Sequence, residues 1–111
     1  MWLKKDLANN TKPVLVFTHY GLAEDSEIED GCMFMANRQA VKDILKNDPH
    51  ITAVFSGHQH YTKTHREDGI PYYVLGSITA RGEQKGVPTG VYFELLLENG
   101  DLTVNEKHIA I

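Results

Sequence analysis

Two short apolar runs constrain this chain more than anything else in it. Val14-Leu15-Val16-Phe17 and Ile51-Thr52-Ala53-Val54-Phe55 are each the length of one strand, and the first is too uniform to leave a face in water. Between them, Ala36, Ala40, Val41, Ile44 and Leu45 form one stripe at helical spacing. Strand, helix and strand in that order make a crossover unit with parallel strands. Both runs are expected at the centre of a sheet.

The flanks follow from the same periodicities. Trp2, Leu3 and Leu7 are expected to share the apolar face of a first helix, broken by Asn9-Asn10-Thr11-Lys12-Pro13. Asn37 is placed to cap the crossover helix, and Asp48-Pro49 to end it. Residues 61–66 and 70–75 read as strands joined by Glu67-Asp68-Gly69. Residues 91–97 and 102–107 pair across Glu98-Asn99-Gly100-Asp101, a hairpin turn signal. Residues 20–35 and 76–90 are loops, and loops of that length often carry function. The expected class is α/β: a mixed β-sheet with a crossover helix, followed by antiparallel hairpins. With 111 residues and no internal linker, the chain is read as one unit, 1–111.

Eleven basic against fifteen acidic residues give a net charge of -4, so no basic surplus drives nucleic-acid binding by counterion release. Glu24, Asp25, Glu27, Glu29 and Asp30 crowd one loop and repel polyanions further. Cys32 is the single cysteine, which forbids an internal disulfide and suits a reducing compartment. The first residues lack the apolar core and cleavage site of a signal peptide. No stretch is long and apolar enough for a spanning helix. A cytoplasmic setting without membrane partners is expected.

The chemistry concentrates in histidines at the ends of the two apolar runs. Gly57-His58-Gln59-His60 follows the second run, and His19 ends the first. Residues two apart in extended backbone point the same way, so His58 and His60 can face one cavity. Zinc, manganese and iron all accept neutral imidazole. Two such ions about 3.5–4 Å apart hold a phosphate and activate water, with carboxylates bridging them and offsetting their charge.

On these residues the chain resembles the calcineurin-like metallophosphoesterases. A strand ending in Thr18-His19-Tyr20-Gly21-Leu22, a helix, and a strand ending in Gly57-His58-Gln59-His60 are similar to that family's last two signature blocks. Trp2-Leu3-Lys4-Lys5-Asp6-Leu7 is similar to the helix before the first of them. The resemblance implies half of a β-sandwich flanked by helices, and a hydrolase acting on small phosphoester substrates. It implies two divalent ions (Mn, Fe or Zn), with His19 and His58 on the second and His60 on the first. It also implies that Gly57 lets the backbone turn tightly. The family's earlier blocks, DxH, GDxxD and GNH, do not occur here. The expectation is therefore a C-terminal half domain, weakly active or inactive alone. Its partner would be an N-terminal half in the same or a separate chain, and Met1 need not be the natural start.

Other residues carry lesser expectations. Tyr20, next to a ligand, is a candidate for lining the substrate cleft. His65 is a candidate substrate contact, whereas His50 and His108 read as solvated or structural. Arg81 and Lys85 could meet a phosphate from their loop, but fit an exposed pair better. Half a sandwich exposes apolar faces and strand edges, so a non-catalytic assembly module, seen as a homodimer, is the alternative. A cupin barrel also uses an HxH pair, but its glutamate should fall four or five residues later, and Glu67 lies too far on.

Overall fold

The computed structural model describes residues 2–22, 37–57, 63–75 and 90–109. The first helix, α1, spans Trp2–Ala8, and the crossover helix, α2, spans Arg38–Lys46. Strands β1 (Val14–Thr18), β2 (Ile51–Ser56), β3 (Lys63–Glu67) and β4 (Ile70–Val74) form one sheet in the order β1-β2-β4-β3. β2 lies parallel to both β1 and β4, while β3 runs antiparallel to β4. β5 (Val91–Glu98) and β6 (Asp101–His108) make a separate antiparallel hairpin. The α/β class, the mixed sheet and the antiparallel hairpins stand as expected.

Both two-residue turns are made by residues that tolerate positive φ. Asp68 and Gly69 sit at φ 52° and 78°, and Asn99 and Gly100 at 51° and 84°. Positive φ at both central positions matches the right-handed twist of the flanking strands.

Register assigns the two faces of the four-stranded sheet. Val16, Val54, Tyr72 and His65 lie side by side on one face; Phe17, Phe55, Tyr73 and Thr64 on the other. The helices cover the first. Leu7, Val41, Leu45, Val54, Ile70 and Tyr72 close into one buried cluster, with Leu3, Val14, Val16 and Ile44 against it. On the second face, Phe17, Phe55 and Tyr73 stack as three nearly parallel rings, each 5.1 Å from the next. Phe93 of the hairpin packs edge-on against Phe55 and Tyr73, at 6.4 and 5.8 Å. Two layers of strand with helices outside one of them is the half-sandwich arrangement.

Four local expectations are corrected. β1 is the edge of the described sheet, and its Phe17 is 66% exposed. An apolar run reports a demand for burial, not how many neighbours meet it. Trp2 leaves the apolar face of α1 and is exposed, because it sits one residue, about 100°, round the helix from Leu3. Asn37 occupies the N-cap position, but its side chain makes no capping bond. Its carbonyl accepts the Val41 N–H instead, at 3.3 Å. Along α2, Ala40 is exposed and Lys42 is buried. Lys42 Nζ meets Glu67 Oε2 at 3.1 Å, tying α2 to the end of β3.

Candidate functional site

Parallel strands end together, and in open α/β sheets ligands gather beyond their carboxyl ends. Here Thr18 lies opposite Ser56, and Ser56 opposite Val74, so β1, β2 and β4 finish level. Two backbone bonds extend the pairing past the strands. The Gly57 N–H donates to the His19 carbonyl at 3.1 Å, and the Leu75 N–H to the Ser56 carbonyl at 2.9 Å. His19 and the first residue of the Gly57-His58-Gln59-His60 motif are therefore hydrogen-bonded neighbours, although 38 positions separate them in sequence.

The segment after β1 is held at several points. The Thr18 hydroxyl donates to the Tyr20 carbonyl at 2.7 Å. Gly21 and Leu22 are buried, Leu22 to 1% exposure. His19 and Tyr20 project from between these anchors, both exposed, with the Tyr20 ring edge-on to the imidazole at 5.1 Å and 83°. Gly57 contributes position more than conformational freedom. Its φ is not in the left-handed region, and a Cβ there would meet nothing within 4 Å among the described residues. The expected need for glycine at that turn is not borne out.

His58 and His60 lie outside the described residues, as do Cys32, Arg81, Lys85 and the acidic loop. Among the described residues, no three of His, Cys, Asp and Glu come together as a metal group. What the described part supplies toward a metal is one imidazole and the backbone link that brings Gly57 beside it. Imidazole donors suit Zn, Mn or Fe, so His19 fits the implied ions as far as it goes.

The remaining histidines stand elsewhere. His65 lies mid-strand on the helix-covered face, stacked on Tyr72 at 6.2 Å, with Nε2 3.7 Å from Glu67 Oε1. Its place mid-strand on that face, away from the strand ends that carry His19, does not support substrate contact. His50 precedes β2 at the opposite end of the sheet, its Nδ1 3.3 Å from Asp48 Oδ1. A groove of about 530 Å³ opens beside it, between Leu7 and Lys4 of α1 and Asp43 and Ile44 of α2, also away from His19. His108 is exposed near Glu106. Sequence reasoning missed the Lys42–Glu67 pair. Its one signal was a lysine between Val41 and Leu45 on the core side of a helix.

Among the described residues, Tyr72 has the one strongly shifted group. Burial pushes its phenol up to about 12, and the nearby carboxylates of Glu67 and Asp68 push the same way. It lies within the helix-side core, so its shift bears on stability.

The sequence pattern of the calcineurin-like phosphoesterases matches residues 1–62, the stretch containing α1, β1, α2, β2 and the histidine motif. The chain belongs to that family. No curated protein matches it. Among the described residues, no helix is long and apolar enough to cross a membrane.

Proposed function

We propose that this chain is the metal-binding C-terminal half of a phosphoester hydrolase, with His19, His58 and His60 as ligands of a pair of divalent ions. Family membership supports a hydrolase of phosphoester bonds in general terms. The observation that carries the finer reading is the Gly57–His19 backbone bond, which joins the two histidine-bearing strand ends at one pole. Mn, Fe and Zn all suit these donors. When bound, the ions supply Lewis acidity toward the phosphoryl oxygens and activate the attacking water. The chain's own residues fix where that happens. β1 and β2 end level, with Gly57 bonded to His19 there, and Tyr20 forms a wall of the substrate cleft. The carboxylates that complete the site come from an N-terminal half, in the same or a separate chain. The substrate is a small phosphoester, and the net charge of -4 disfavours nucleic acid.

Metal analysis and turnover of nitrophenyl phosphate with added manganese test this reading. The 111-residue chain alone should retain metal but turn over slowly. Adding a polypeptide that carries DxH, GDxxD and GNH blocks should raise turnover, and replacing His19, His58 or His60 by Ala should abolish the gain. Robust turnover by the chain alone would overturn the half-domain reading. Absence of both metal and turnover in the mixture would overturn the hydrolase reading.

A second reading, a non-catalytic assembly module, draws on surface apolarity. Phe17, Leu96 and Leu97 are 66%, 48% and 43% exposed, and among the described residues β1 is an edge strand without a charged residue. Such edges template pairing with another chain. Light scattering on a chromatographed sample separates the two: a dimer without metal favours assembly, and a metal-loaded monomer favours the hydrolase half.

A further inference from the structure

We propose that Tyr20 is a positioning residue that sets the orientation of the His19 imidazole toward the ion, an inference that rests on the reading of His19 as a metal ligand. A ligand imidazole must present one ring nitrogen along a narrow direction, and the groups that fix the ring weigh almost as heavily as the ligand itself. Around His19 the backbone is fixed on three sides. Its carbonyl accepts the Gly57 N–H at 3.1 Å, Thr18 Oγ1 donates to the next carbonyl at 2.7 Å, and Leu22 is anchored at 1% exposure. The direction of the ring, which stands exposed beyond the strand end, is then a matter of the two side-chain torsions of His19 and of the groups that touch the ring. The edge-on Tyr20 ring, 5.1 Å away and at 83°, bears on those torsions. Perpendicular rings at this spacing attract through their quadrupoles, and rotating the imidazole would break the contact. Because Thr18 holds the Tyr20 backbone from within the same turn, the tyrosine serves as a fixed stop and not a mobile flap.

The role belongs to the aromatic ring, not to the hydroxyl. Tyr20→Phe should therefore retain it and Tyr20→Ala should lose it. The experiment is a zinc titration of the whole chain followed by calorimetry and by NMR of the histidine ring protons. Amide spectra of each variant confirm the fold. Before zinc is added, the His19 ring protons should show a ring-current displacement that survives Tyr20→Phe and disappears in Tyr20→Ala. On titration, Tyr20→Ala should bind zinc about five- to tenfold more weakly, with Tyr20→Phe within about twofold of the parent. Equal zinc affinity in Tyr20→Ala and the parent overturns the positioning role and leaves the ligand reading standing. Parent His19 signals that do not respond to zinc overturn the ligand reading and this role together. Absence of the displacement in the metal-free parent overturns the positioning role by itself.

Discussion

The two faces of the four-stranded sheet are built from similar residues and end in different states. On the helix side, Leu45 and Val54 are 0% and 1% exposed, and the apolar stripes of both helices close over the strands. On the other side the three-ring stack is covered at Tyr73 and Phe55 by Phe93, and open at Phe17. Register puts Phe17 and Phe55 in equivalent positions on neighbouring strands, yet Phe55 is 7% exposed and Phe17 66%. The difference is cover. A core is set by the layer that lies on a residue, and equal hydrophobicity does not ensure equal burial.

The largest effect that could break this comparison is at the centre of the covered face. Leu45→Ala should destabilise the chain by about 2–5 kcal/mol, read from urea unfolding, because the removed atoms leave a cavity among packed neighbours. A loss under about 1 kcal/mol would mean that this face is loosely packed.

A somewhat smaller effect comes from Tyr72 on the same face. Below pH 10 its phenol is protonated in folded and unfolded chains alike, and its contribution is fully present. Between pH 10 and about 12 the unfolded chain ionises while the folded chain keeps its proton. Unfolding is then favoured as pH rises, by about 2–3 kcal/mol over the window at roughly 1.4 kcal/mol per unit. Urea unfolding at intervals across that range should show the decline, and Tyr72→Phe should remove this part of it. An identical decline in Tyr72→Phe would show that the phenol is not held in the core.

The smallest effect belongs to the open face. Phe17→Ser should change stability by less than about 1 kcal/mol, since most of the ring is already in water. A loss approaching that of Leu45→Ala would show that this face is covered in solution, by a second copy or by another polypeptide, and concentration-dependent unfolding would tell which.

Much of this was legible in the sequence. The apolar runs, the helical stripe and the two turn signals place β1, α2, β2 and both hairpins within a residue or two, because each pattern is a local response to burial and backbone sterics. His19 stood out as a strand-end histidine, and the structure puts it beside Gly57. The edge position of β1 was not legible. Neither was Lys42 as a core-side residue of α2, since its partner Glu67 is 25 positions away and declares itself only when β3 folds back beside the helix. The contact between His19 and Tyr20 was also hidden, because adjacent residues have no fixed mutual angle outside regular structure.

Sequence alone thus determined which segments become strands and helices, where the hairpins turn, the acidic balance and the histidines worth watching. Tertiary structure decided which strand lies at the edge, which face is sealed, and that residues 19 and 57 meet at one pole. The physical reason is range: periodicity is written within five to ten residues of backbone, whereas cover and convergence depend on pairings between segments that the chain brings together only as it folds.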